Sequence, residues 1–230
     1  MKKLAWASAA IGLLAMLAIA MPNGPFDGAQ ATGGVASAQY IDTGLFWREA
    51  SGPGGERNAA ALPLYEAVFA HDPRRVATLL DHGASANALL YPGRWSALMV
   101  AAAYNDHASA ELLVKHGANL DYVSKDPATG TALAVALSYG RFYTVEHPDF
   151  SMLHFLLDSG ADINTTFNEK DIAIYAVDLG QIAFVNELLS RGYRRDLSEL
   201  KESLSVVEVS ESEKPAKQRA LATTRRLLSR

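Results

Sequence analysis

The residues best suited to chemistry gather in the segment RFYTVEHPDFSMLHF, residues 141–155, which offers Glu146, His147, Asp149 and His154. Imidazole and carboxylate groups close together can hold a divalent cation, so His147 and His154 are weak candidate metal ligands. No two of the four stand at the helical i, i+4 spacing with an acid between them, which is the pattern a helical zinc site needs. His82 and His116 each precede a glycine, in LLDHG and LLVKHG, but a pair without further ligands falls short of a metal site. Nucleophilic hydrolysis needs a serine on a constrained elbow, and no G-x-S-x-G occurs anywhere in the chain. GPGG at 52–55 lacks the Lys-Ser/Thr of a phosphate-binding loop and reads as a flexible join. The chain has no cysteine, which excludes disulfides, thiolate metal sites and cysteine nucleophiles. The expectation is therefore a protein that is no enzyme and carries no cofactor.

The elements that would position these residues follow from a repeated phrase. LLDHGASANA at 79–88, LLVKHGANLD at 112–121 and LLDSGADINT at 156–165 are near copies, with a worn fourth, LLSRGYRRDL, at 188–197. Their glycines, Gly83, Gly117, Gly160 and Gly192, are separated by 34, 43 and 32 residues, so the third unit carries an insertion around 141–149. Upstream of each lies a second apolar pattern: LPLYEAV at 62, SALMVAA at 96, TALAVAL at 131 and DIAIYAV at 171. Apolar residues in both patterns recur at helical spacing, as in Leu64, Ala67 and Val68 and then Val76, Leu79 and Leu80. Pro73 suits the first turn of the second helix, where its missing N–H is no loss. Each unit is thus two short helices, which are marginal in isolation and must stack on neighbours. Alanine at 67, 101, 136 and 176 keeps the first helices thin enough for close approach, and the glycines can end the second helices in the left-handed conformation.

These units resemble the ankyrin-repeat family, whose pattern runs Thr-Pro-Leu-His, Ala-Ala, Leu-Leu and Gly-Ala-Asp-x-Asn at about 33 residues. GASAN, GANLD and GADIN match the last element. The first element is degenerate: only LPLY keeps the proline, and no unit keeps the histidine. The resemblance implies an all-α solenoid of about four helix-turn-helix units over residues 61–196, with an N-terminal cap or arm at 39–60 and C-terminal capping helices at 197–230. The fourth unit, with Ala173 in the leucine slot, grades into that cap. DLSELKESLSVV and KPAKQRALATTRRLLSR supply its two helices, the last with a stripe of Ala220, Leu221, Thr224, Leu227 and Leu228.

The resemblance also implies binding to another protein through the loops after each glycine and the concave face of the first helices. The matching positions are Tyr91, Arg94 and Trp95 in the first loop, Tyr122, Lys125 and Asp126 in the second, and Phe167, Asn168 and Glu169 in the third. Phe142 and Tyr143 in the insertion join them, since aromatic side chains on loops are common binding anchors. Trp95 could equally cover the adjacent helix pair, and the insertion could pack on the stack. Tyr40, Phe46 and Trp47 in QYIDTGLFWREA leave open a cap or a binding arm.

Lys2 and Lys3 precede an uncharged run, Leu4 to Met21, with small-residue sites near Ala20 and Ala38. This is the pattern of an export signal followed by a Gly-, Ala- and Pro-rich linker over 1–38, with an uncleaved anchor as the alternative. A periplasmic or secreted protein is expected, monomeric when unbound and without stable membrane association after cleavage. Residues 214–230 carry six basic side chains and no acid, while 39–213 carry a net −11. An acidic body disfavours nucleic acid, which needs a basic face to release counterions. Within the binding class the readings are an inhibitor or immunity protein against a toxin or hydrolase and an accessory factor for a periplasmic enzyme or its cofactor. A small-ligand or metal carrier and a secreted host-directed effector also remain.

Overall fold

The computed structural model describes residues 58–91, 93–125, 130–139, 149–167 and 170–229. The expected export signal, its two cleavage sites and the cap or arm up to residue 57 lie outside the described residues.

Four helix pairs follow one another. They are α1 (Leu62–Phe69) with α2 (Pro73–Asp81), α3 (Ala97–Ala103) with α4 (His107–Lys115), α5 (Ala132–Tyr139) with α6 (Ser151–Asp158), and α7 (Ile172–Asp178) with α8 (Ile182–Ser190). Helices α9 (Leu197–Val206) and α10 (Lys214–Leu228) close the order. The starts of α2 and α4 have local causes. Pro73 opens α2, and the Asp72 side chain accepts the N–H of Arg75 at 3.0 Å. Asp106 does the same for α4 through Ser109 N–H at 3.1 Å, satisfying donors that a helix N-terminus otherwise leaves orphaned.

The repeated Leu-Leu/Val-x-x-Gly phrase is a helix stop. Gly83, Gly117, Gly160 and Gly192 take φ values of +91°, +79°, +100° and +107°, a region that costs a side-chain-bearing residue and costs glycine little. In the first unit Gly83 N–H donates to Leu80 O and Ala84 N–H to Leu79 O, both at 3.0 Å. The paired bonds recapture carbonyls that the helix end would leave open. Ala118, Ala161 and Tyr193 reach back to Leu113, Leu156 and Leu188 in the same way.

The first helices stack on one another, with α3 between α1 and α5, while α2 packs on α4. Their interface is built from Leu64, Ala67, Leu98, Ala101, Leu133 and Ala136, all buried; each large aliphatic side chain so buried contributes about 1.5–3 kcal/mol. Not every residue of the expected stripes is inside. Leu79, Val114 and Leu157 are only partly buried, because a short helix turns one of two adjacent leucines toward its exposed flank. At the far end α9 packs on α7, and α10 on both α8 and α9. Ala220 and Thr224 are buried there, whereas Leu228 is 42% exposed, so the expected stripe on α10 ends before the helix does. One departure from an all-helical chain is a two-residue antiparallel pair, β1 (Thr166–Phe167) with β2 (Lys170–Asp171).

Polar side chains as well as aromatic rings join the third and fourth pairs. Ser138 Oγ meets Tyr175 Oη at 3.0 Å, His154 Nε2 meets Glu187 Oε2 at 2.7 Å, and Arg191 donates to Asp158 at 2.5 Å. Phe150 stacks on Phe184 with centroids 5.6 Å apart.

Candidate interaction surface

The loops that follow the four glycines are laced sideways. Asn87 Nδ2 donates to Gly117 O at 2.7 Å, and its Oδ1 accepts the N–H of Asn119 at 2.7 Å. One repeat further on, Asp121 Oδ1 accepts the N–H of Asp162 at 2.7 Å. The Gly-Ala-x-x-Asn/Asp signature therefore carries a cross-repeat tie: its last polar side chain caps the next loop. Nearer the tips, Lys125 N–H donates to Gly93 O at 2.7 Å, and Ser124 Oγ donates to the same carbonyl at 3.2 Å. Gly93 has φ +77°, and the place a Cβ would occupy lies 2.6 Å from Lys125 Cδ, so a larger residue there would be strained by its backbone and would push the Lys125 side chain aside.

The sequence-predicted residues separate on this framework. Tyr91 and Trp95 are partly buried and packed against the hydrophobic core, and the Trp95 carbonyl accepts the Tyr65 hydroxyl at 2.7 Å. Tyr65 occupies the position where the family pattern has histidine and anchors the first loop from beneath; burial pushes its phenol well above the ordinary range. Tyr122 is half-buried, donates to the Arg94 carbonyl at 3.0 Å and is also raised by burial. Lys125 is exposed and Arg94 half-exposed. Phe167 stacks on Tyr175 at 4.2 Å. Asp126, Phe142, Tyr143, His147, Asn168 and Glu169 lie outside the described residues.

One exposed apolar side chain escaped sequence reasoning. Val123 sits between Tyr122 and Ser124 at the second tip and is 61% exposed. The available signal was a β-branched residue in a loop that no helical period accounts for. Together Arg94, Tyr122, Val123 and Lys125 form a ridge with an apolar point and basic flanks, held rigidly by backbone bonds.

Chemistry other than binding finds little here. His154, the expected metal candidate that is described, is tied to Glu187 across the third junction. His82 Nδ1 lies 2.6 Å from Thr78 O, and His116 lies 3.5 Å from Asp81. Among the described residues no three His, Cys, Asp or Glu side chains come together as a metal site would require. Among the same residues no helix is long and apolar enough to cross a membrane.

A family profile described as ankyrin repeats, in three copies, matches residues 64–166. No curated protein matches the chain.

Proposed function

The chain is an ankyrin-repeat protein, with its repeats matched across residues 64–166, and from that premise we propose that it is exported and binds a partner protein through the ridge of loop tips at Arg94, Tyr122, Val123 and Lys125. Ankyrin repeats are protein-interaction modules, generally without catalytic activity. The observation that carries the choice of surface is the lateral lacing of the loops, above all the shared Gly93 carbonyl that receives both Lys125 N–H and Ser124 Oγ. Loops already fixed by such bonds lose little freedom on association, so more of the contact energy survives as affinity. That pre-organisation favours an inhibitor or immunity protein, which needs a tight and durable complex, over an accessory factor that must release its client. The basic start and uncharged run at Lys2 to Met21 support export.

The test is native capture with a C-terminally tagged full-length chain expressed in its producing cell, after fractionation. A single stoichiometric partner, a toxin or hydrolase, recovered from the periplasmic fraction supports the reading. Recovery of the chain alone, or from the cytoplasmic fraction, contradicts it.

A further inference from the structure

Helix α10 carries three cations that the rest of the fold does not use. Arginines elsewhere are engaged: Arg75 with Glu66, Arg191 with Asp158 and Glu187, Arg195 with Asp171, and Arg194 with the carbonyls of Leu189 and Tyr193. The two lysines of α10 are engaged as well, Lys214 with Glu211 and Lys217 with the Val207 carbonyl. Arg219, Arg225 and Arg226 are exposed and have no ion pair among the described residues. Ordinary roles do not explain all three. Basic groups in a last turn offset the helix dipole, which suits Arg225 and Arg226, but Arg219 stands two turns earlier, beyond that field. A solvated helix face is commonly stabilised by opposite charges at i, i+3 or i, i+4, and residues 214–230 contain no acid. Acids are close by, since α9 and the turn after it expose Glu199, Glu202, Glu208 and Glu211. Among the described residues, however, no ion pair joins α9 to α10.

We infer, independently of the loop-tip reading, that the outer face of α10 is a second docking surface, and that its occupant is an acidic segment of a partner protein held by Arg219, Arg225 and Arg226. Arg219 and Arg226 lie in one row, about 10 Å apart along the helix axis, with Arg225 on the other side of the exposed Ala222. The short Ala222 side chain lets a partner backbone come close, and the guanidinium forks match carboxylates bidentately. Carboxylates spaced one or two helical turns apart meet that pattern. Arginine is also the cation that interfaces favour, whereas lysine is depleted there.

Other polyanions fit less well. The apolar row of α10 is turned into the stack, with Ala220 and Thr224 buried and Leu221 and Leu227 packed on the core, so it is not free to enter a lipid surface. Nucleic-acid binding draws on many phosphate contacts, and the positive strip is one helix wide, because α9, packed alongside, exposes Glu199 and Glu202. A short acidic segment is narrow enough to stay on the strip. With a net −11 over 39–213, attraction of an acidic chain is local to such a strip and no property of the whole molecule.

The experiment uses the full chain with an end-labelled octaglutamate peptide as the probe, read by fluorescence anisotropy at low salt. Octaglutamine, phosphatidylglycerol vesicles and a DNA duplex serve as comparisons. The expected result is saturable binding of octaglutamate and not of octaglutamine, weakened at least about tenfold when Arg219→Glu, Arg225→Glu and Arg226→Glu are combined. Arg74→Glu, at an exposed arginine of α2, should leave it unchanged. Should the triple variant lose its helical circular dichroism, Arg219→Gln decides: it keeps the last-turn charges and should weaken binding about threefold. No octaglutamate binding, equal binding of octaglutamine, binding that these α10 variants leave intact, an equal loss in Arg74→Glu, or binding of the duplex or the vesicles in its place overturns the inference.

Discussion

One position in the helix-opening phrase separates two regions of this molecule. In the second and third repeats it holds Ser96 and Thr131, and each side chain caps its own helix: Ser96 Oγ accepts Met99 N–H at 3.2 Å and Thr131 Oγ1 accepts Ala134 N–H at 3.4 Å. In the fourth repeat the same position holds Asp171, which makes no cap bond. Its carboxylate instead accepts the Tyr193 hydroxyl at 3.0 Å and pairs with Arg195 at 3.2 Å. Burial, with that carboxylate beside it, pushes the Tyr193 phenol far above its usual range. The second helices grade in the same direction, from the Asp caps of α2 and α4 to no side-chain cap on α8. The family match ends at residue 166, ahead of the fourth helix pair. Side-chain pairs cross between repeats throughout, as His71 with Asp106 and Asn105 with Asp149 show; what sets the fourth repeat apart is that Asp171 serves such a pair in place of capping its own helix.

The largest expected effect probes the apolar region. Leu113→Ala removes a fully buried side chain from α4 and should cost about 2–5 kcal/mol in denaturant unfolding of the full chain; a neutral result would break the assigned helix register. Tyr193→Phe should cost about 1–3 kcal/mol, because it leaves a buried carboxylate oxygen without its donor. Hydrogen exchange should place that loss in α7 to α10, and a loss spread evenly over all repeats would erase the distinction between the two regions. Asp106→Ala removes the cap of α4 and should cost about 1 kcal/mol, with the loss centred on α4 and on the His71 turn of the first repeat that Asp106 also pairs with.

The smallest effect concerns pH. Burial alone would raise Asp106, but hydrogen bonds from His71 and Ser109 outweigh it and hold the carboxyl below its ordinary 3.8. At Asp149 the Ser151 backbone N–H leads, aided by the Ser151 hydroxyl and by Asn105, and the carboxyl is again lowered. A depressed folded value gives stability that is present above 3.8 and is lost as pH falls through that lower value. The difference in stability between wild type and Asp106→Ala should therefore shrink on acidification below about pH 4; a difference that is flat across this range would assign the cap no electrostatic share.

The fold was legible because its signals are local. Leu-Leu/Val-x-x-Gly encodes a helix stop within one turn, and Pro73 and Asp72 encode a start, so helix pairs and their order follow from short windows. The two terminal helices were legible for the same reason. Which of two adjacent leucines faces inward was not, since Leu79 and Leu80 differ only in the packing of the neighbouring repeat. The site was legible as loops but not as roles. Tyr122 reads as an exposed aromatic and proves to be a donor to the carbonyl of Arg94, 28 residues away, a tie that no local pattern announces. The use of Asp171 as a partner for Tyr193 is equally non-local.

Binding of a partner protein by the laced loop tips is tested by combining Val123→Asp with Lys125→Glu in the full chain and titrating the variant against the captured partner. Both side chains are exposed, so melting should match the wild type. Affinity should fall at least about tenfold, as loss of an anchor and reversal of a flanking charge at an interface should bring. Unchanged affinity with unchanged melting would contradict it and move the binding surface away from the loop tips.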